Sequence, residues 1–108
     1  MHKALFFITR KDGMDHDAFV EYWQTEHVPL ALTHPGLVRY ATSIPVDPAE
    51  APVDGVADLS FESMESLRSG LLESSVAAEA KEDALEFADP DESTMVLLEE
   101  TVHLDETA

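Results

Sequence analysis

His27 is the residue whose type and position most directly indicate chemistry. It shares an apolar stripe with Phe19 and Trp23, each four residues from the next along the chain. An imidazole titrates near neutral pH, so it can act as a general acid or base. Pro29 follows two residues later and cannot donate a backbone hydrogen bond inside a helix. We therefore expect the helix to kink or stop near residues 25–28 and to turn His27 towards a cavity.

The side chains around His27 have two interpretations. The histidine can hydrogen-bond a carbonyl group that the proline leaves free, and the spacing alone favours this structural role. It can instead act on a ligand in a pocket. Tyr22 and Trp23 share the ambiguity, because aromatic residues at helical spacing usually pack in the core, yet both carry a polar group that can meet a ligand. If the residues form a ligand site, we expect His27 to be the catalytic residue. The expected substrate-binding residues are then Tyr22, Trp23, Phe6 and Leu30.

Other chemistry is weakly supported by the sequence. His27 and His34 are seven residues apart, and no carboxylate between them has a clear ligand geometry, so we expect no metal site. The chain has no cysteine, which excludes thiolate chemistry and a disulfide framework. Phosphate-binding and nucleophile-elbow motifs are absent. Haem ligation by His27 is the least supported alternative, and we expect no cofactor.

Strands and helices alternate along the chain in the order βαββαβ. This order predicts a ferredoxin-like α+β fold, in one domain over residues 1–108, with a four-stranded antiparallel sheet and helices on one face. The first strand is apolar on both faces, so it should lie inside the sheet; Pro45 favours an edge position for the second. The expected strands are 3–9, 37–46, 56–62 and 94–104, in the spatial order fourth, first, third, second; the expected helices are 16–27, 64–72 and 76–87.

Two further local predictions follow from residue types. Proline disfavours helical angles in the residue before it, so Val28 should leave the helical region. Glu99 and Glu100 are adjacent within the predicted fourth strand, so one of them must face inward. We expect that carboxylate to form an ion pair with Arg10 or Arg39.

Acidic residues dominate the composition. There are 23 acidic residues against 6 basic ones, and the formal net charge is −17. Such a surface repels nucleic acid and anionic membranes. The acids are spread through the chain and lysine is scarce, which favours adaptation to a salty cytoplasm over an ordinary acidic protein. The N-terminal residues lack a signal-peptide cleavage site and no long apolar run is present, so we expect a cytoplasmic protein that does not span a membrane.

The stretch 14–40 resembles the EthD family. The matching pattern is an acid-capped helix with a Phe, a Tyr-Trp pair, a His and then a Pro-Gly turn before the second strand. The residues that carry it are Met14, Asp15, Phe19, Tyr22, Trp23, His27, Pro29, Leu30, Pro35, Gly36, Leu37, Arg39 and Tyr40.

This resemblance implies a dimeric α/β barrel, in which two ferredoxin-like sheets pack face to face. Proteins of that superfamily include isomerases, small cyclases and cofactor-free monooxygenases. The resemblance therefore implies a homodimer and a pocket between sheet and helices. It also implies a cofactor-independent enzyme of oxidoreductase, isomerase or cyclase type that acts on a small apolar or aromatic metabolite. A non-catalytic ligand-binding or accessory protein of the same fold is the alternative, because a fold alone does not fix function.

Overall fold

A computed structural model describes residues 1–107. Within these residues the strands pair into a four-stranded antiparallel sheet of order β2-β3-β1-β4, so the predicted strand order and the α+β ferredoxin-like fold are confirmed. The elements are β1 (His2–Ile8), α1 (His16–Tyr22), α2 (Val28–Ala31), β2 (Leu37–Ser43), β3 (Gly55–Phe61), α3 (Met64–Leu67), α4 (Ser75–Ala84) and β4 (Thr94–Glu99), with π-helical turns at Trp23–His27 and Arg68–Leu72.

The helices cover one face of the sheet and form the core with it. On that face Ala4 of β1 lies beside Leu59 of β3, and both are almost fully buried. Phe19 and Trp23 pack over these strands with their ring centroids 5.5 Å apart, and Phe87 after α4 completes the aromatic cluster. Burial of this face is what fixes the register of the sheet, because a slip by one residue would expose it.

The fourth strand is shorter than predicted. It ends at Glu99, which pairs with His2, the first residue of β1, so no neighbouring strand remains for the chain to extend along. Beyond it, Val102 and Leu104 are 61% and 75% exposed, which corrects the strand assigned to 94–104. The second strand likewise ends at Ser43, before Pro45. The sequence also predicts that the tail, 105–108, frays, and the last residue of this tail lies outside the described part.

The helix does not stop at Pro29. Val28 has φ −55° and ψ −45°, so the prediction that it leaves the helical region is wrong. The chain instead forms a π-helical turn over Trp23–His27, in which the Val28 N–H bonds the carbonyl group of Trp23, five residues back. Pro29 then lies in the first turn of α2, where a backbone donor is not needed.

The π-turn explains why the apolar stripe has a spacing of four. Phe19, Trp23 and Ala31 are at most 2% exposed, and His27 lies on the same face. On a regular α-helix, residues four apart drift away from one face, by about 120° over the three intervals between positions 19 and 31. The extra residue in the π-turn cancels roughly 100° of that drift. The stripe therefore stays aligned towards the sheet.

The second face of the sheet carries no helix. Strand register puts Leu5 of β1 beside Val96 of β4 there, and every residue of β4 is exposed. Val96 and Leu98 are each 37% exposed, as solvent-facing apolar residues of this surface. An apolar sheet face of this kind is typical of a surface that meets another protein copy.

Ion pairs on the sheet differ from those predicted. Lys3 Nζ lies 2.8 Å from Asp58 Oδ2 and 2.5 Å from Glu100 Oε2. The expectation that Glu99 or Glu100 pairs with Arg10 or Arg39 is wrong, because those arginines pair with other carboxylates. Arg10 Nη1 lies 2.7 Å from Asp54 Oδ1, and Arg39 Nη1 lies 3.5 Å from Asp58 Oδ2. No helix within residues 1–107 has the length and apolarity needed to cross a bilayer.

Candidate functional site

A cleft of about 930 Å³ opens between the sheet and the helices. This volume lies within the range of small-molecule sites, about 300–1,000 Å³, which are typically apolar with a few polar groups. Alanine and leucine side chains of α4 and the second π-turn form much of one wall. The sheet contributes Phe6, Ile8, Tyr40, Ala57, Leu59 and Met95 to the other. We refer to this space as the sheet–helix cleft.

His27 lies in the wall of the sheet–helix cleft and is held by a carboxylate. Its Nδ1 is 2.8 Å from Oδ2 of Asp83, a residue of α4 that is 56 positions away in the chain. Oδ1 of Asp83 accepts a second hydrogen bond, from the Tyr22 hydroxyl group at 2.7 Å. The His27 ring also packs against Phe87, with centroids 4.9 Å apart. These contacts fix the orientation of the imidazole.

The hydrogen-bond network assigns the tautomer of His27. An ionised carboxylate only accepts hydrogen bonds, so Nδ1 of His27 must donate to Asp83. In the neutral ring Nε2 then carries the lone pair. Within residues 1–107 the ring has no other hydrogen bond, and Nε2 is not among the buried side-chain atoms that lack a partner. The free acceptor of His27 is therefore exposed, on a side chain that lines the cleft.

Tyr22 supports Asp83 and does not line the cleft. The hydrogen bond to Asp83, together with burial, raises the pKa of Tyr22 to about 12, so its hydroxyl group stays a donor at neutral pH. Its ring stacks on Phe87 at a centroid distance of 5.6 Å. Tyr22, expected as a substrate-binding residue, is thus positioned to hold the carboxylate behind His27.

Trp23 forms part of the floor of the cleft and is only 1% exposed. Its indole ring lies directly against Gly55 at the start of β3, where a Cβ atom would come within 2.3 Å of Cζ3. Glycine is therefore required for this packing. Phe6 also lines the cleft, whereas Leu30 is half-buried on α2 and lies outside the lining. The structure thus brings His27, Trp23 and Phe6 together at one cavity.

Three polar residues at this site were missed in the sequence. Asp83 resembles its acidic neighbours on α4, and nothing local marks it as a partner of a distant histidine. His34 was considered only as a metal ligand, but it is 6% exposed, lines the cleft and lies 2.7 Å from the Ala31 carbonyl oxygen through Nδ1. Tyr40 also lines the cleft, and burial raises its pKa to about 12 against an opposing contribution from Trp23.

Metal binding finds no support in the geometry. Among residues 1–107, no group of three or more His, Cys, Asp or Glu side chains is arranged to hold a metal ion. The polar residues that line the cleft are, besides the two histidines and Tyr40, Glu73, Ser74, Lys81, Glu82, Ser93 and Thr94. Such groups exchange protons and hydrogen bonds with an organic ligand.

Comparison with known proteins agrees with the βαββαβ architecture. The sequence model of the EthD domain matches residues 11–91, and the chain belongs to the EthD family. None of the curated proteins compared with the chain matches it.

Solved structures share the fold at low sequence identity. An EthD family protein from Bacillus halodurans is 24% identical, with a TM-score of 0.77 over 94% of this chain and 100% of its own. A dimeric ferredoxin-like protein of unknown function from Thermobifida fusca is 15% identical, with a TM-score of 0.70 over 90% of this chain and 88% of its own. SnoaB, a cofactor-independent oxygenase from Streptomyces nogalater, is 12% identical, with a TM-score of 0.64 over 99% of this chain and 96% of its own.

Proposed function

We propose that this protein is a cofactor-independent enzyme that removes a proton from a small apolar or aromatic metabolite bound in the sheet–helix cleft. The observation that carries the proposal is the bond between His27 Nδ1 and Asp83, which leaves Nε2 as an acceptor in an apolar cavity. His27 is the general base, and Asp83 and Tyr22 are the positioning residues behind it. Geometry of this kind gives a base its correct tautomer and stabilises the imidazolium that forms.

The proposed step is a proton transfer. The C–H or O–H bond of the substrate breaks, its proton moves to Nε2 of His27, and the electron pair stays on the substrate as an enolate or phenolate. The imidazolium is stabilised by the Asp83 carboxylate, and this attraction is stronger in an apolar cavity than in water. Return of the proton to another atom gives an isomerase, attack on a carbonyl gives a cyclase, and reaction with dioxygen gives an oxygenase. The cofactor-independent oxygenase among the structural relatives supports the last type.

The alternative is a binding protein that uses the same cleft without turnover. The packing of Trp23 against Gly55 is compatible with it, because a fixed wall suits recognition as well as catalysis. The two candidates differ only in whether Nε2 of His27 accepts a proton from the ligand. A measurement of proton exchange therefore separates them.

We also propose that the protein is a homodimer formed through the helix-free face of the sheet. The exposed apolar residues on β4, together with Leu5 and Phe7 of β1, support this, as do related structures that are dimeric. An interface of the obligate type should bury on the order of 2,000 Å² or more in total. Light scattering at about 1 M KCl, where charge repulsion is screened, should give the mass of a dimer. The mass of a monomer would overturn the proposal.

The catalytic proposal is tested by deuterium exchange. Aryl ketones with acidic C–H bonds, such as tetralone and indanone, are incubated with the protein in D₂O, and deuterium uptake is followed by mass spectrometry. His27→Asn keeps a donor for Asp83 but has no titratable nitrogen, so it should lose the acceleration, by about 10²–10⁴-fold. Exchange that is equally fast with His27→Asn would refute the role of His27. Binding without accelerated exchange would favour the non-catalytic alternative.

A further inference from the structure

His34, like His27, is held by a hydrogen bond at Nδ1, but its partner is a backbone carbonyl group and it has no assigned role. Its Nδ1 lies 2.7 Å from the carbonyl oxygen of Ala31, and its side chain is among the lining residues of the sheet–helix cleft. A carbonyl oxygen only accepts, so Nδ1 must donate, and in the neutral ring Nε2 is an acceptor. The residue as a whole is only 6% exposed, so this is a buried polar side chain in the wall of a cavity.

The Nε2 atom of His34 has no partner in the part of the chain that the structure describes, residues 1–107. Within these described residues, the only hydrogen bond of its side chain is the one to Ala31. Nε2 is also not one of the two buried side-chain nitrogens without a partner, which belong to His2 and His16. It therefore has some exposed surface, and we place that surface in the cleft because the His34 side chain lines it.

From this geometry we infer that His34 is a specificity-determining residue and that the cleft selects ligands with two hydrogen-bond donors on an apolar frame. One donor, from an O–H or N–H group, is bound by His34 Nε2, and the second meets His27 Nε2. This inference rests on the proposed use of the cleft as a ligand site and narrows the class of ligand. It does not depend on whether the bound ligand is turned over.

The selectivity follows from the cost of an unmade hydrogen bond. A ligand without the second donor displaces water from His34 Nε2 when it fills the cleft, and it does not replace the hydrogen bond that the water made. A buried acceptor left in this state weakens binding, by about 5- to 150-fold in equilibrium terms. The apolar walls, with Phe6, Trp23 and Phe87 among them, give similar binding to any frame of the right size. Discrimination between ligands with one donor and ligands with two therefore comes from polar groups of the lining, and we assign it to the acceptors of the two histidines.

The inference is tested by ligand titration with a built-in reporter. Trp23 is the single tryptophan of the chain and lies in the floor of the cleft, so its fluorescence should respond to a bound aromatic compound. The probes are naphthalene, a naphthol and a series of naphthalenediol isomers that vary the separation of the two hydroxyl groups. At least one diol should bind about tenfold or more tightly than the naphthol.

His34→Asn is the decisive variant. Asparagine can donate from its amide to the Ala31 carbonyl, in place of Nδ1, but places nothing at the position of Nε2. The variant should bind the preferred diol no more tightly than the naphthol, with unchanged affinity for naphthalene. His103→Asn, the same change at an exposed position of the tail, should keep the selectivity of the original chain.

The inference is overturned by a diol preference that persists in His34→Asn, or by the absence of a preference for any diol in the original chain. If His34→Asn does not fold, nitrogen NMR of the original chain gives the answer, because the His34 Nε2 resonance should shift with the diol and not with naphthalene. An unshifted resonance under saturating diol would also contradict it. Failure of the catalytic proposal is distinguishable, because it shows in deuterium exchange and leaves the diol selectivity in place.

Discussion

Replacing Asp83 with asparagine should disable His27 while leaving the cleft intact. The change replaces one of the two carboxylate oxygens, both of which accept hydrogen bonds, with an amide NH₂ group. It also removes the negative charge. If the amide NH₂ group faces Nδ1 of His27, the ring must place its proton on Nε2 and has no lone pair towards the cleft. If the amide oxygen faces Nδ1 instead, the tautomer survives, but the charge that stabilises the imidazolium is lost. Both orientations weaken the base.

The size of each effect can be worked out from the two hydrogen bonds that Asp83 makes, at 2.8 Å to His27 and 2.7 Å to Tyr22. A hydrogen bond to a charged group stabilises a protein by about 1 kcal/mol more than a neutral one does, so the change should cost about 2 kcal/mol. For a domain of this size that lowers the melting temperature by roughly 8–16 °C. Loss of general-base catalysis, in contrast, should slow exchange by about 10²–10⁴-fold, equivalent to about 2.7–5.5 kcal/mol in the barrier.

Deuterium exchange at a temperature where Asp83→Asn is fully folded separates the two effects. Glu79→Gln is the matched control, because it removes the same charge from an exposed position of α4. Tyr22→Phe should show an intermediate loss, since it keeps the bond between Asp83 and His27 and removes the group that fixes Asp83. Exchange by folded Asp83→Asn at the rate of the Glu79→Gln control would refute the role assigned to the carboxylate.

Three further predictions concern packing, pH and salt. Gly55→Ala places a Cβ atom 2.3 Å from the Trp23 ring, so it should cost about 1–3 kcal/mol in stability and change the near-ultraviolet circular dichroism; an unchanged melting temperature would contradict the packing. The pKa values of Tyr22 and Tyr40 are both raised from 10 to about 12, so the folded state binds these protons more tightly. Their contribution to stability should be complete below pH 10 and disappear as the pH rises towards 12, with tyrosinate absorbance at pH 10 much lower in the folded than in the unfolded chain. With a net charge of −17, the melting temperature should rise from low salt to about 1 M KCl, and coincident melts would remove the argument for adaptation to salt.

The fold was predictable because its determinants are local or periodic. The first strand is apolar on both alternating faces, which requires cover on both sides and therefore a central position in the sheet. Pro45 favoured an edge position for the second strand, and β2 does lie at the edge of the sheet, although it ends at Ser43 and not at 46. The length of the fourth strand was not predictable in this way, because it ends where β1 begins, and that limit lies in a distant part of the chain.

Only the part of the site that lies on the first helical segment was predictable from the sequence; the part on α4 was not. His27 and Trp23 stand out through their spacing along one helix, but the π-turn that aligns them replaces the break that Pro29 indicated. The local rule for proline is satisfied differently, because the wider turn moves Pro29 to the start of a new helical segment. Asp83 could not be identified, since which acid of α4 faces His27 depends on how two helices 56 residues apart pack together.

Nitrogen NMR of the protein with isotopically labelled histidine is the most direct test of the central claim, that His27 presents a free acceptor to the cleft. We predict that the neutral His27 ring carries its proton on Nδ1, bonded to Asp83, and that the Nε2 resonance shifts when a hydroxylated aromatic compound saturates the cleft. A proton on Nε2 in the free protein, or an Nε2 resonance that does not respond to a ligand already detected by Trp23 fluorescence, would contradict the claim.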